Sequence, residues 1–158
     1  EKLGILNKIE FDIEEVGQPL NFRWGKCRLA TSSFGHGITT TPLQIVKAYS
    51  IISNGGYQIN PTVIKKDFKL QKKSRILNKN ISEQINPILR KIVSTKEGTA
   101  NLANIKGYYI GGKTGTAQKS IGGEYSKEKI NTFVGVFPIN NPQFVLLVLL
   151  DGTHINKN

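Results

Sequence analysis

Three strand-sized segments stand in a row near the end of this chain, and what separates them limits how they can pair. They are residues 108–118, 132–138 and 143–150. The first two flank a glycine turn, Ile121-Gly122-Gly123-Glu124, and the last two are joined by Ile139-Asn140-Asn141-Pro142. A parallel pair needs a crossover of about a dozen residues or more, usually a helix. Turns this short make the three strands antiparallel. The second and third are apolar on both faces, which places them centrally in a covered sheet. No internal repeat interrupts this order.

Two helices precede the strands. Thr41-Pro42-Leu43-Gln44 reads as a helix start: Thr41 as N-cap, Pro42 at the first helical position, Gln44 completing a capping box. Ile45, Val46, Tyr49 and Ile52 supply its apolar stripe, and Asn54-Gly55-Gly56 ends it. A second helix is expected over residues 82–95, with Ile85, Ile88, Leu89, Ile92 and Val93 on one face and Lys96-Glu97-Gly98 as its stop. Pro87 fits that helix only in its first turn, where a free N–H is not needed. Residues 57–66 read as extended, with Pro61 placing them at an edge. Residues 1–33 read as loop-rich, and Trp24, among Arg23, Lys26 and Arg28, is either a core anchor or a cation–π partner. The fold class is therefore α+β, an antiparallel sheet with helices packed against it.

Composition excludes several roles. At 158 residues the chain can bury one real core. Its longest apolar run, residues 144–150, is a strand's length and far below the ~18 residues of a membrane span. No signal peptide stands at Glu1, so a targeting segment is expected upstream or not at all. One cysteine, Cys27, forbids an internal disulfide and reads as a small buried apolar residue. With His36 and His154 the only histidines, no metal site is expected, and no cofactor. The net charge of +11 gathers partly in Lys65, Lys66, Lys69, Lys72, Lys73, Arg75 and Lys79. Phe68 is the one aromatic residue among these charges. With no aromatic platform they read as a solvated connector rather than a nucleic-acid surface.

The chemistry concentrates in Gly111-Gly112-Lys113-Thr114-Gly115-Thr116-Ala117. Glycines let a ligand lie against the main chain, and a lysine with two hydroxyls suits an anionic group. Residues 107–114 also satisfy G-x-x-x-x-G-K-[ST], the phosphate-binding loop, and the apolar run ending in Asp151 resembles a magnesium-holding strand. Such a loop must follow a strand and open a helix. Here residues 99–106 make a weak strand, and Gly115-Thr116-Ala117-Gln118 leads to a glycine turn without helical period. Nucleotide binding is the lesser alternative.

The stronger reading is a family resemblance. The chain resembles the C-terminal half of a class B penicillin-binding protein transpeptidase domain, of the cell-division type. Ala30-Thr31-Ser32-Ser33-Phe34-Gly35-His36-Gly37, with Thr41 to Gln44 and Ala48-Tyr49, resembles that family's turn-plus-helix block, with His36 where an aromatic such as Tyr is expected. Glu97-Gly98-Thr99-Ala100 resembles the small-residue step before the active-site strand, and residues 111–118 resemble the Lys-Thr-Gly strand itself. The resemblance implies a partial penicillin-binding-protein or serine-β-lactamase-like fold. It implies peptidoglycan stem peptides and β-lactams as ligands, division proteins as partners, and the periplasmic face of the inner membrane, held by an anchor outside this chain. Carried over by residue, Lys113 supplies positive charge and poises neighbouring hydroxyls. Thr114 and Thr116 bind the donor's terminal carboxylate. The Thr116 N–H is one of two oxyanion donors, and Gly115 keeps the strand bare.

Two further motifs of that family are missing. No Ser-x-Asn occurs, and the one Ser-x-x-Lys, Ser126 to Lys129, follows the strand in a charged turn. A nucleophile needs its lysine desolvated beside it, so Ser126 reads as a surface serine. Residues 1–158 are accordingly expected to be the C-terminal portion of one domain, inactive alone, with the nucleophile elsewhere. Residues 152–158 are too few for the terminal helix that closes the family's sheet. An uncovered apolar sheet face is expected to self-associate. A non-catalytic binding module of the same fold is the other alternative.

Overall fold

The strand-rich end of the chain folds into one antiparallel sheet, β1 (Gly111–Ile121), β2 (Glu124–Phe137) and β3 (Phe144–Asp151), in the order β1-β2-β3. The structure is a computed structural model. It describes residues 2–13, 25–33, 35–65, 74–121 and 124–152. Trp24, Phe34, His154, the turn glycines Gly122 and Gly123, the residues after Gly152 and most of the basic run (Lys66, Phe68, Lys69, Lys72, Lys73) lie outside the described residues.

Strand existence and direction follow the sequence reading; the bounds do not. β1 starts at Gly111 rather than residue 108, because Tyr108 N–H closes a turn onto Ile105 O at 3.1 Å. β2 begins at Glu124, well before residue 132. Its first half is charged and has no apolar pattern, so pairing with β1, not local propensity, makes it a strand. Ser126 therefore lies within β2 rather than in a turn, and its Oγ accepts from Glu128 N–H at 3.1 Å. Lys119 Nζ ties the far ends of all three strands together, 3.1 Å from Glu128 Oε2 and 2.6 Å from Asp151 Oδ1.

Three helices accompany the sheet: α1 (Arg28–Ser33), α2 (Pro42–Ser53) and α3 (Lys79–Ser94). The capping box of α2 is complete, with Gln44 N–H donating to Thr41 Oγ1 at 3.3 Å and Thr41 N–H to Gln44 Oε1 at 2.7 Å. The far end of α2 is closed by α3. Ser82 Oγ bonds Ile52 O and accepts from Gly55 N–H at 2.9 Å, and Asn86 Nδ2 donates to Ser53 O at 3.1 Å.

α3 corrects two expectations. It begins at Lys79, capped by Asn78, whose side chain accepts from Asn80 N–H at 3.0 Å, and Pro87 falls in its interior rather than its first turn. Pro87 is exposed, so the Glu83 carbonyl that loses its N–H partner faces the solvent side. The opposite face packs Leu89 against Val136 and Ile139, with Tyr49, Ile85, Ile92 and Val145 around them. Ile88, expected on that face, is 53% exposed.

Three more expectations change. Residues 58–65 form no strand; only Tyr57 bridges, to Arg75, whose guanidinium also bonds the Tyr57 hydroxyl at 2.8 Å. Pro61 and the lack of a longer partner among the described residues explain this. Cys27 is exposed, because it sits in the turn just ahead of α1. β3 is an edge strand rather than a central one. Phe144, Leu146, Val148 and Leu150 are exposed, because among the described residues only one face of β3 is covered, on the side where α2 lies. No described helix is long and apolar enough to cross a membrane.

Candidate active-site strand

β1 forms the other edge of the sheet, and two glycines let it lie tight against its neighbours. A Cβ on Gly111 would stand 2.6 Å from Ile139 Cγ1 and 3.1 Å from Arg90 N; one on Gly112 would stand 2.5 Å from Val134 O and 2.8 Å from the Phe133 ring. Arg90 of α3 fixes the approach to the strand. Its guanidinium donates to Ile110 O at 2.8 Å and to Asn104 Oδ1 at 3.1 Å, and lies 4.6 Å over the Tyr109 ring. Ile139 N–H donates to Tyr109 O at 2.7 Å.

Beyond that anchor come the four singled-out residues. Lys113 is exposed, and its Nζ donates to Thr114 O at 2.6 Å. Thr114 is half-buried, its Oγ1 3.0 Å from Thr99 Oγ1. Gly115 is exposed on the strand; a Cβ there would meet Thr132 Oγ1 at 2.6 Å, and its carbonyl accepts from that hydroxyl at 3.4 Å. Thr116 is exposed, with Oγ1 donating to Asn131 Oδ1 at 3.1 Å. Because side chains alternate along a strand, Thr114 and Thr116 share one face and stand about 7 Å apart along the backbone.

The structure brings two of the three sequence blocks together. A Cβ on Gly98 would stand 2.0 Å from Ile92 O, so only glycine fits the bend that leaves α3, and this bend sets Thr99 against Thr114. In the turn block, Gly35 N–H bonds Ser32 O and His36 N–H bonds Thr31 O, so residues 35–37 close the end of α1. Thr99 and Asn131 are the site neighbours the sequence did not reveal. Thr99 lay inside a block of note but without a role, and Asn131 carries no local signal at all.

Phosphate-loop chemistry is overturned here. Residues 107–114 run from a turn after the 3-10 helix Asn101–Ala103 straight into β1, with Thr114 inside the strand. No helix N-terminus follows to hold a phosphate. Among the described residues no group of His, Cys, Asp or Glu is placed to hold a metal ion.

Comparisons with known proteins converge. The model of the penicillin binding protein transpeptidase domain matches residues 1–158. A peptidoglycan D,D-transpeptidase FtsI homolog of Mesostigma viride is 33% identical over 98% of this chain, which spans 31% of that relative's length. The transpeptidase domain of Burkholderia pseudomallei penicillin-binding protein 3 superposes with a TM-score of 0.86 at 27% identity, covering 96% of this chain and 47% of its own. Penicillin-binding protein 3 of Mycobacterium tuberculosis, solved with aztreonam and with ampicillin, gives a TM-score of 0.74 at 27% identity. It covers 82% of this chain, against 33% and 32% of the two solved chains.

Proposed function

This chain belongs to the penicillin-binding protein transpeptidase family, and from that premise we propose that residues 1–158 form the Lys-Thr-Gly side of a peptidoglycan D,D-transpeptidase site. The serine nucleophile is supplied by a part of the same domain outside these residues. The observation that carries the reading is the strand itself. β1 is a sheet edge, bare at Gly115, with Lys113 exposed beside it and two hydroxyls spaced along one face.

The serine Oγ attacks the carbonyl carbon of the penultimate D-alanine of a stem peptide. The C–N bond to the terminal D-alanine breaks, and that residue leaves as an amine after taking up the proton. The amine of a second stem peptide then attacks the ester carbonyl. A new amide forms, and the serine recovers its proton. During attack, negative charge grows on the carbonyl oxygen, where the Thr116 N–H donates. One such donor contributes about 3 kcal/mol to the transition state. Thr114 and Thr116 hydroxyls hold the donor's terminal carboxylate, and the Lys113 ammonium lowers the energy of that anion and poises nearby hydroxyls.

A β-lactam carries the same carbonyl and anionic group, so it acylates the same serine and stays there. The M. tuberculosis relative with aztreonam and ampicillin supports this class of ligand. The FtsI name of the Mesostigma relative supports a division role. The whole protein would then act at the periplasmic face of the inner membrane with division proteins, through an anchor outside residues 1–158.

Intact-mass analysis of the full-length protein after incubation with a penicillin tests the reading. The expected result is one adduct, on a serine outside these residues, lost when that serine is changed. A folded full-length protein that takes up no adduct would replace the enzyme with a non-catalytic module of the same fold.

A further inference from the structure

A cavity of about 570 Å³ opens beside α2. Residues of the 2–12 segment line one side and residues 58–61 another, and no residue of β1, β2 or β3 takes part. Its volume falls within the ~300–1,000 Å³ of small-molecule sites. The walls are held in place. Ile9 is buried, Gln44 Nε2 donates to Asn7 O at 2.6 Å, and Val63 N–H donates to Asp12 Oδ2 at 3.0 Å, tying the two sides together.

Three lysines line this cavity, Lys2, Lys8 and Lys47. Lys47 is half-buried on α2, one turn before Ile51, which belongs to the same lining. The Gly4 turn brings bare backbone up to it: a Cβ on Gly4 would stand 4.0 Å from Lys47 Nζ. Lys79 and Lys119 hold ion pairs, but among the described residues none of these three ammonium groups has a hydrogen bond or a carboxylate partner. Like charges around one hollow raise its positive potential, and an anion that enters relieves their repulsion.

The rest of the lining suits hydroxyl groups rather than a bare ion. The Glu10 carboxylate has no partner among the described residues and only accepts, so it can take a ligand hydroxyl. Gln58 and Asn60 add amides that both give and accept. Asp12 is already engaged by Val63 N–H. Phe11 offers a half-buried aromatic ring, against which the C–H face of a sugar can lie.

We propose that this cavity binds an acidic sugar, one bearing a phosphate or a carboxylate. The lysines hold the acid group, Glu10 and the two amides the ring hydroxyls, and Phe11 the face of the ring. The site asks nothing of β1 and stands apart from the transpeptidase reading.

Calorimetric titration of the full-length protein at physiological salt tests this with three probes: glucose 6-phosphate, glucuronate and glucose. The expected result is saturable binding of at least one acidic sugar and none of glucose, and the acid that binds identifies the group the lysines hold. Lys47→Met keeps the aliphatic stem and should weaken that binding about tenfold, and Lys8→Met about fivefold. Lys96→Met removes an exposed lysine outside the cavity and should change it less than about twofold. That control separates a site from the general attraction of a net charge of +11. Lys8 is exposed, so its variant keeps the question answerable if Lys47→Met fails to fold. No saturable binding of either acid, equal binding of glucose, binding that the two cavity variants leave unchanged, or an equal loss in Lys96→Met would each overturn the proposal.

Discussion

Gly112→Ala places one methyl group where β1 meets β2, next to Lys113. The new Cβ would stand 2.5 Å from Val134 O and 2.8 Å from the Phe133 ring. Ordinary van der Waals contact begins at 3.4 Å, so the methyl is about 0.9 Å too close to a backbone oxygen. That oxygen belongs to the central strand and cannot swing aside as a side chain would. The two strands must part, and overpacking of this kind costs about 1–3 kcal/mol. For a domain of 150–250 residues each kcal/mol lowers the melting temperature by about 2–4 °C, so a drop of about 2–12 °C is expected. Function should suffer more. A misplacement of about 1 Å at a reacting strand slows chemistry about 100-fold, and the step opens directly beside Lys113.

Circular dichroism melts and penicillin-adduct time courses on the full-length protein measure both effects. Gly107→Ala is the control. Its φ is +90° but nothing lies within 4 Å of the added methyl. It should lose about 1 kcal/mol from backbone strain alone and acylate normally. A Gly112→Ala variant that melts and reacts like the parent would refute the close-packing argument.

Other expectations follow from the same structure. Gln44 is buried and takes bonds from Thr41 N–H and Thr40 Oγ1 while giving one to Asn7 O. Gln44→Ala should lower stability by about 2–4 kcal/mol and Thr41→Ala by only about 1 kcal/mol, with equal urea midpoints counting against it. The Lys119 ammonium is held above its ordinary value of 10.5 by hydrogen bonds to Asp151 first and Glu128 second. A raised value means the stabilisation is complete below the unfolded value and is lost as pH rises through the folded one. The parent should therefore lose stability faster than Lys119→Met only in the alkaline range above 10.5. Urea midpoints that fall in parallel there would sink this. The exposed residues of β3 should make the 158-residue chain self-associate; sedimentation showing a clean monomer at high concentration would refute that.

What was legible in the sequence was local. The capping box of α2 lies within four residues, and the structure keeps every bond of it. The short turns that forced antiparallel pairing are equally local. The first half of β2 was not legible, because its charged residues become a strand only by pairing with β1. Pro87 misled for a related reason. The sequence weighed its missing N–H against helical propensity, but the face opposite it packs Leu89 into the core and decides the matter. Cys27 was assigned by what cysteines usually do, and nothing local says that its turn faces solvent.

The site shows where local reading stops. Lys113 to Thr116 are visible as a block, yet their neighbours depend on register. At the closed end of the hairpin Ser120 pairs with Tyr125, and that register, continued, would set Thr116 opposite Lys129. An irregularity between Gln118 and Ser120 shifts the pairing by two residues, so Thr116 meets Asn131 instead. A shift of two keeps every side chain on its own face, which is why the strand pattern gives no sign of it. It changes only the partner, from the ammonium of Lys129 to the amide of Asn131, whose Oδ1 accepts from the Thr116 hydroxyl. Which side chain stands beside the Thr116 hydroxyl is thus decided by one backbone irregularity a few residues away.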